Sequence, residues 1–267
     1  MAASRSRCER AMSEAQSITT QREGGILIIT INRPEARNAF DLATSRQMQA
    51  VMDMLDADDS LFVGIITGAG GTFCAGADLK AVARGERPAT PERGGFGMFS
   101  KPSTKPLIAA VEGYAVGGGL ELCLSCDLIV AASSAKLGLP EVRNGVVAIG
   151  GGLFRLPRRM PHHLAMELAL TGDIREAAYF HQQGVVNQLS SPGCALQDAL
   201  ALAQRLVQNS PLALAASKAV VQAASEQTEA ALWDGQMALV AKAFQSEDRQ
   251  EGLRAFAEKR KPVWSGR

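Results

Sequence analysis

Four short apolar runs in the first half of the chain predict buried strands. Each is continuous and bounded by polar or turn-forming residues, and most are rich in β-branched residues. A run of this kind is typical of a strand that is covered on both faces of a sheet. The runs lie at 26–32, 61–67, 107–111 and 127–132.

A helical spacing follows the first of these runs. Met48, Val51, Met52 and Leu55 recur at i, i+3, i+4 and i+7, which places their side chains on one face of a helix. Asp41 precedes this stretch and is a candidate N-cap, because its carboxylate can accept a hydrogen bond from a free amide of the first turn.

Helical segments dominate after about residue 160, where strand signals fade. Strands that alternate with helices and short Gly-rich turns indicate an α/β fold. The predicted helical segments of the second half are 161–170, 174–182, 195–208, 211–225, 228–244 and 249–259.

Composition and charge exclude several classes of protein. The chain has 267 residues, of which 46% are hydrophobic and 21% charged, and its net charge is +1. These values are typical of an ordinary globular protein and not of a disordered or collagen-like one. A near-zero charge argues against a nucleic-acid partner. No apolar run reaches the length of about 18 residues that a membrane-spanning helix needs, so no membrane partner is predicted.

Cysteines and histidines give no metal signature. The five cysteines are odd in number and scattered, which indicates reduced thiols and a cytoplasmic location. Cys123 and Cys126 form a C-x-x-C motif, but they lie in an apolar stretch and are predicted to be buried as small hydrophobic residues. His162, His163 and His181 are expected to be exposed helix residues, and no metal site is predicted.

Two segments lack a regular pattern. Residues 1–18 are small, polar and basic and are predicted to form a disordered leader; Glu9 and Glu14 argue against an organellar presequence. Residues 82–106 form a long irregular stretch with several Pro and Gly residues, and a loop of this length is more often functional than structural.

Two Gly-rich turns follow buried strands, with the sequences CAGADLK at 74–80 and GGGLE at 117–121. Glycine lets a backbone approach a ligand closely and leaves its amide free to point at it. Two such turns facing each other would direct two N–H donors at one oxygen, which is the arrangement of an oxyanion hole. The alternative is that these glycines only make tight turns between strands and helices.

Glu121 and Glu141 are candidate acid–base residues. Glu121 lies in the first turn of an otherwise apolar helix, and Glu141 follows Pro140 in a loop. If the two carboxyl groups meet in one apolar pocket, they cannot both ionise easily and one stays protonated near neutral pH. Such a pair can remove a proton from a water molecule and supply another proton. The alternatives are a favourable charge at a helix N-terminus and an ordinary loop carboxylate.

Four segments together resemble the crotonase (enoyl-CoA hydratase/isomerase) superfamily: NRPEARNAF (32–40), ITGAGGTFCAGADL (66–79), GYAVGGGLELCLSCDLIVA (113–131) and LGLPEVRNG (137–145). The C-terminal EGLRAFAEKRKPVW (251–264) is similar to the last helix of that family. The resemblance implies a crotonase-like spiral of ββα units with a C-terminal helical trimerisation region. It places the catalytic core at 19–200 and the helical oligomerisation region at 201–267.

The resemblance also implies roles for individual residues. The amides of Ala77 and Gly118 would form the oxyanion hole for a thioester oxygen, Glu121 would activate water, and Glu141 would exchange the α-proton. The segment that lines the channel for coenzyme A (CoA) and the thioester would comprise Ala36, Ala75, Ala77, Asp78, Leu79, Lys80 and Gly118. Phe256 and Lys259 would pack near the adenine and phosphates. Residues 254–267 carry five basic residues against one acidic residue, which suits a ligand with phosphates.

The sequence therefore predicts an enoyl-CoA hydratase that adds water across the 2,3 double bond of a trans-2-enoyl-CoA. Its predicted partners are the acyl-CoA thioester substrate and further copies of itself, as a trimer or a dimer of trimers. No cofactor is predicted, since CoA enters as part of the substrate. The alternatives are an enoyl-CoA isomerase and a non-catalytic acyl-CoA binding protein. One departure concerns the loop after Glu141, where Ala148 or Ile149 stands in place of the proline common in these hydratases.

Overall fold

A six-stranded mixed sheet forms the centre of the molecule. The structure is a computed structural model that describes residues 16–267, so residues 1–15 of the predicted leader lie outside the described residues. The sheet order is β1-β2-β3-β6-β8-β11. The strands, numbered along the chain, are β1 (Ile18–Glu23), β2 (Ile26–Ile31), β3 (Val63–Gly68), β4 (Ala89–Thr90), β5 (Gly94–Gly95), β6 (Leu107–Val111), β7 (Tyr114–Val116), β8 (Leu128–Ala132), β9 (Lys136–Gly138), β10 (Ile174–Glu176) and β11 (Gln188–Ser190).

The four strands predicted from apolar runs are confirmed as β2, β3, β6 and β8. They pair in parallel, with Ile28 opposite Ile65 and Ile108 opposite Leu128. Nearly all their side chains are buried, because helices or loops cover both faces. Strand β1 pairs antiparallel with β2 at the edge of the sheet. The sequence does not predict β1, since its residues after Ile18 are mostly polar and lie on a half-exposed strand.

A second, three-stranded sheet corrects one prediction. The segment 174–182 is not helical throughout, because Ile174–Glu176 forms β10 and pairs antiparallel with β9. This sheet has the order β10-β9-β7. Strand β11 also lies in the half where strand signals fade, and it pairs in parallel with β8. Such three-residue strands are stabilised by pairing partners distant in the sequence, so they have no local signature.

Most helices agree with the predicted segments apart from their ends, but two short helices, α2 and α4, were not predicted. They are α1 (Leu42–Ala57), α2 (Leu79–Ala83), α3 (Gly118–Ser125), α4 (Gly152–Arg155), α5 (His162–Thr171), α6 (Ala177–Gln182), α7 (Ala195–Leu206), α8 (Pro211–Ala224), α9 (Glu229–Phe244) and α10 (Glu247–Ala257). Asp41 caps α1 as predicted, accepting a 2.8 Å hydrogen bond from the Thr44 amide. Met48, Met52 and Leu55 are fully buried beneath this helix.

The irregular segment 82–106 is folded against α1. Arg93 is buried and forms ion pairs with Asp53 at 2.8 Å and Asp56 at 2.6 Å, both on α1. Phe96 and Phe99 of the same segment are buried in the main core. The segment therefore has fixed contacts, and its two aromatic residues are placed for a role in the site described below.

The C-terminal helices protrude from this core. The predicted boundary at 200/201 falls within α7, whose Ala199 and Ala203 pack on the sheet. Beyond it, α8 buries only Pro211 and α9 buries no residue within the described chain. Trp233 on α9 is 69% exposed. Lys218 joins α8 to the core through a 2.6 Å ion pair with Asp127. None of the helices within residues 16–267 is long and apolar enough to cross a membrane.

Candidate active site

Two main-chain amides lie at the meeting point of the two Gly-rich turns. Gly76 and Gly118 are in backbone contact, because a Cβ atom on Gly76 would lie 3.2 Å from the Gly118 nitrogen. The Phe40 amide donates a hydrogen bond to the Gly76 carbonyl, and the Phe40 carbonyl accepts one from the Asp78 amide. The amide of Ala77, which lies between Gly76 and Asp78, points away from these two hydrogen bonds. Within residues 16–267, neither the Ala77 nor the Gly118 amide donates a hydrogen bond. The structure thus brings together two free donors.

Backbone geometry explains the glycines of the second turn. Gly117 has φ 57° and ψ −127°, a conformation that side chains strongly disfavour. A Cβ atom on Gly119 would lie 2.1 Å from the Cys74 carbonyl oxygen, so a larger residue would separate the two turns. Gly118 is the first residue of α3, where a helix amide has no intrahelical acceptor. The glycines therefore make the turn and also expose the amide.

Glu121 is a buried carboxylate held by the loop that follows Glu141. Its side chain projects from α3 and is 4% exposed. Its Oε1 accepts a 2.9 Å hydrogen bond from the Gly152 amide. Burial raises the pKa of Glu121, while hydrogen bonds from the Gly152 and Gly150 amides and the charge of Arg155 oppose that rise. These three groups favour the ionised form of Glu121.

Glu141 lies beside the second Gly-rich turn, close to Gly117. Pro140 begins the short 3₁₀ helix Pro140–Asn144, which places the Glu141 carboxyl 3.1 Å from the position of a Cβ atom on Gly117. Its Oε2 is buried and accepts no hydrogen bond from the described residues. Burial raises the pKa of Glu141 to about 7, and the charge of Glu121 adds to the rise.

The two glutamates therefore form an acid–base pair with unequal proton affinities. Glu121 has amide donors and a nearby cation, whereas Glu141 has only its own backbone amide. As a coupled pair, they share one proton near neutral pH, and Glu141 holds it. The arrangement can remove a proton at Glu121 and supply one at Glu141.

A cavity of about 290 Å³ opens next to Glu141, between the loop at 139–157 and α5. Its lining is mainly apolar and includes Val147, Ala148, Leu153 and Met166. Of the two residues that can occupy the position where a proline is common, Ala148 is buried in this wall, whereas Ile149 is 90% exposed. The departure noted in the sequence thus affects the side of the site that borders Glu141.

Aromatic side chains cover the other side of the site. Phe96, which has a left-handed φ of 51°, stacks on Phe40 with a ring-centroid distance of 4.3 Å. Its Cζ would lie 2.5 Å from a Cβ atom on Gly118, so the ring edge borders the Gly118 amide. Phe99 lies beside Gly150 and hence beside Glu121. Sequence reasoning missed these phenylalanines, and the only available signal was the length of the 82–106 segment.

The remaining predicted residues fall into two groups, and those of the first group lie in or next to the first Gly-rich turn. Ala36 ends the 3₁₀ helix Pro34–Ala36, and the adjacent Arg37 carbonyl accepts a 3.0 Å hydrogen bond from the Ala75 amide, so this loop lies against the first Gly-rich turn. Asp78 caps α2 and pairs with Arg33 at 3.0 Å. Leu79 and Lys80 are exposed on α2.

Phe256 and Lys259, by contrast, lie on the C-terminal helix, well separated in sequence from the loops around the two amides. Phe256 is 87% exposed and Lys259 has a left-handed φ of 55° just after α10. Their predicted contact with the adenine and phosphates of a ligand stays a prediction.

The buried thiols take no part in the chemistry described here. Cys123 and Cys126 are fully buried, and burial raises the pKa of Cys126 to about 12. The predicted packing of these residues as small hydrophobic groups is confirmed. Within the described part of the chain, no group of three or more His, Cys, Asp or Glu residues is arranged to hold a metal ion.

Two convergent amides beside a pair of unequal carboxyl groups define a class of site that polarises a carbonyl and moves protons at the adjacent carbons. Comparisons with known proteins agree with that class. The family model described as enoyl-CoA hydratase/isomerase matches residues 21–267. The chain belongs to this family, and its crotonase fold is confirmed.

Relatives and solved structures narrow the class further. The chain is 43% identical over 264 residues to a carnitinyl-CoA dehydratase of Citrobacter koseri, covering 96% of this chain and all of that protein. A crystal structure of an enoyl-CoA hydratase from Mycobacterium marinum is 51% identical with a TM-score of 0.91, covering 94% and 99% of the two chains. A carnitinyl-CoA hydratase structure from Mycobacterium avium is 42% identical with a TM-score of 0.76, at the same coverage.

Hydratases and dehydratases catalyse one reversible addition of water in opposite directions. The chain is accordingly an enzyme of the hydro-lyase class, with a hydratase/dehydratase activity of the crotonase superfamily.

Proposed function

We propose that the protein hydrates a trans-2-enoyl-CoA to a 3-hydroxyacyl-CoA. The observation that carries this proposal is the pairing of Glu121, where two amides and Arg155 oppose the rise in pKa caused by burial, with Glu141, whose pKa is about 7, beside two free amides. A reaction that adds water needs both a base for the water and an acid for the neighbouring carbon. An isomerisation needs only one group to move a proton, so the retained pair favours hydration.

The thioester carbonyl oxygen accepts hydrogen bonds from the Ala77 and Gly118 amides in this mechanism. Withdrawal of electron density toward that oxygen makes C3 of the enoyl group electrophilic. The C2=C3 electron pair moves into the C1–C2 bond as water attacks C3, and the oxygen gains enolate character. The two amides stabilise the charge that develops there, and each donor of this kind contributes about 10²–10³ in rate.

Glu121 and Glu141 handle the two protons. Glu121 takes a proton from the attacking water, whose oxygen bonds to C3. The enolate then collapses, and C2 takes the proton that Glu141 holds. The product gains a hydroxyl group at C3 and a hydrogen at C2, and one proton remains on Glu121 in place of the one lost by Glu141. Exchange with solvent restores the starting state. Every step is a proton transfer or an addition, so the proposed reaction requires no further cofactor, and CoA enters with the substrate.

A carnitinyl-CoA substrate is a second candidate. The relatives named carnitinyl-CoA dehydratase, among them that of Proteus mirabilis at 40% identity, favour it. The mainly apolar lining of the cavity beside Glu141 favours an uncharged acyl group, because burying a quaternary ammonium without compensation is costly.

A substrate panel tests the two candidates. The purified protein is mixed with 2-enoyl-CoA thioesters of short, medium and long chain, with a 3-enoyl-CoA and with carnitinyl-CoA. We expect loss of the enoyl absorbance with at least one 2-enoyl-CoA and the 3-hydroxyacyl-CoA as product. Faster migration of the double bond in the 3-enoyl-CoA would instead assign an isomerase. Turnover of carnitinyl-CoA alone would assign the second candidate, and tight acyl-CoA binding without turnover would assign a binding protein.

The protein is further proposed to act as a homo-oligomer, either a trimer or a dimer of trimers. Helices α8 and α9 leave large apolar side chains exposed, among them Val221, Trp233, Met237 and Phe244. An apolar surface of this kind on a soluble enzyme usually marks a protein interface. Sedimentation velocity is expected to give a mass near three or six times 28.2 kDa. A monomer at micromolar concentration would contradict the proposal.

A further inference from the structure

Arg155 is a half-buried cation that contacts three different segments around the site and forms no ion pair within residues 16–267. It ends α4, and its Nη1 donates to Ser125 Oγ at 2.9 Å and to the Gly150 carbonyl at 3.2 Å. Its Nη2 donates to the Phe99 carbonyl at 2.5 Å. Within residues 16–267, no carboxylate lies within 4 Å of this guanidinium. A half-buried arginine without a directly paired carboxylate is unusual, because desolvation of its charge is then offset by neutral acceptors and by the more distant charge of Glu121.

Each of the three acceptors belongs to a segment that borders Glu121. Ser125 lies one helical turn after Glu121 on α3 and donates its hydroxyl to the Glu121 carbonyl at 2.8 Å. Gly150 is in the loop whose amides bind the Glu121 carboxylate. Phe99 belongs to the aromatic cover. Arg155 therefore joins the helix that carries Glu121, the loop that holds its carboxylate and the wall opposite.

The space between these segments is narrow. A Cβ atom on Gly150 would lie 2.4 Å from Glu121 Oε2 and 2.4 Å from Phe99 Cε2. Gly150 thus separates the carboxylate from the aromatic ring with no room for a side chain. A shift of either the loop or the Phe99 backbone would change the distance between the carboxylate and its amide donors.

We propose that Arg155 is a positioning residue for Glu121, holding the Gly150 and Phe99 carbonyls so that the loop amides remain on the Glu121 carboxylate. The proposal rests on the proposed function and deepens it by assigning a residue that forms no ion pair with the Glu121 carboxylate but binds the segments around it. A guanidinium suits this role better than an ammonium, since its planar fork supplies several donors in fixed directions.

The charges around Glu121 agree with this assignment. Glu141 faces it from the 3₁₀ helix, and the charge of an ionised Glu121 raises the pKa of Glu141, so Glu141 is mostly protonated, and carries little charge, below a pH of about 7. Arg155 is the cation that favours ionisation, and Arg158 and Arg159 lie near Arg155 and repel it. Loss of the Arg155 charge should therefore raise the pKa of Glu121.

The test compares Arg155→Gln and Arg155→Lys with Arg158→Gln, a removal of a neighbouring exposed charge, in the full-length protein. We expect kcat for crotonyl-CoA to fall about a hundredfold in Arg155→Gln, since a displacement of about 1 Å at a reacting group costs that much. The acidic limb of the pH profile of kcat/KM should move to higher pH. Arg155→Lys keeps the charge, so its acidic limb should stay in place while kcat falls. Arg158→Gln should match the wild type.

A second measurement separates failure of this proposal from failure of the proposed function. NMR of protein labelled with carboxyl-¹³C glutamate follows the titration of Glu121 without any substrate, with the resonance assigned from Glu121→Gln. We expect its midpoint to rise by about one unit in Arg155→Gln relative to Arg158→Gln. If the wild type hydrates no enoyl-CoA but the Glu121 midpoint still rises in Arg155→Gln, the proposed function is rejected and the positioning role of Arg155 is retained.

Equal kcat, pH profile and Glu121 titration in Arg155→Gln and Arg158→Gln would overturn the proposal. A purely structural role would lower the yield or thermal stability of the variant without moving the pH midpoints. If Arg155→Gln does not fold, the Arg155→Lys variant is used to test the proposal. An unchanged kcat overturns the proposal, whereas a reduced kcat with the acidic limb of the kcat/KM profile in its wild-type position supports it.

Discussion

Replacing Glu141 with glutamine is expected to reduce kcat for crotonyl-CoA by about 10²–10⁴, the range typical of a lost general acid. The carboxyl group of Glu141 holds the shared proton up to a pH of about 7, because burial raises its pKa. Glutamine has nearly the same shape but no proton to give to C2, so the enolate cannot collapse to product. KM should change far less, since neither amide of the oxyanion hole is altered. Steady-state kinetics at pH 6 and 7 check this expectation.

The pH dependence of folding stability provides a control for the Glu141→Gln variant. In the native state Glu141 keeps its proton to a pH of about 7, whereas an unfolded glutamate loses it near 4.5. The unfolded state therefore binds fewer protons between these values, and the wild type loses stability as the pH rises from 4.5 to 7. Glu141→Gln has no such loss and should be more stable than the wild type at pH 8, by roughly 1–2 kcal/mol after allowance for solvent screening.

Thermal unfolding at pH 5 and pH 8 measures that difference. An inactive variant that is also less stable than the wild type at pH 8 would indicate misfolding and not the loss of an acid. A variant with unchanged turnover would remove Glu141 from the mechanism. Glu121→Gln in the same assay should also abolish most turnover, because glutamine cannot accept the proton of the attacking water.

The second large effect is expected from Gly118→Pro compared with Gly118→Ala. Both substitutions add a Cβ atom 2.5 Å from the Phe96 ring, so both displace the aromatic cover. Only proline removes the Gly118 amide hydrogen. Gly118 is the first residue of α3, a position that tolerates proline because its amide has no helical acceptor. We expect kcat/KM of the proline variant to be about 10²–10³ below that of the alanine variant.

The steric cost at Phe96 is common to both variants. The ratio of their activities therefore reports what proline alone changes, which is the loss of the amide hydrogen and the placement of the ring carbon Cδ on that nitrogen. Circular dichroism and the melting temperature of each variant check that α3 is intact. Equal activity of Gly118→Pro and Gly118→Ala would show that the Gly118 amide does not stabilise the developing charge. Such a result would leave the roles of Glu121 and Glu141 standing.

Much of the fold could be predicted from local patterns. Apolar runs predicted the four central parallel strands, because strands covered on both faces have no polar side to interrupt the run. Asp41 was recognisable as a helix cap from its position alone. The short strands β10 and β11 were not predictable, since three residues with no alternation acquire a strand conformation only from a pairing partner far away in the sequence.

The residues of the candidate site likewise divide into those that the sequence predicted and those that it did not. Glu121, Glu141 and the glycines around Gly118 stand in recognisable motifs, because turns with unusual backbone angles leave a signature in the residue type. Phe96, Phe99 and Arg155 do not stand in motifs of this kind. A phenylalanine in a long irregular segment and an arginine at the end of a short helix are compatible with many environments.

Side-chain size and polarity at neighbouring positions were enough to predict the four central strands, most of the helices, the glycine turns and the family. Which of the two similar glutamates keeps the proton near neutral pH follows instead from the packing of distant segments. That difference comes from the Gly150 and Gly152 amides and the Arg155 charge around Glu121, and from the lack of equivalent donors around Glu141 among residues 16–267. Proton affinity depends on the groups that surround a carboxylate in space, and here those groups lie about 30 residues away along the chain.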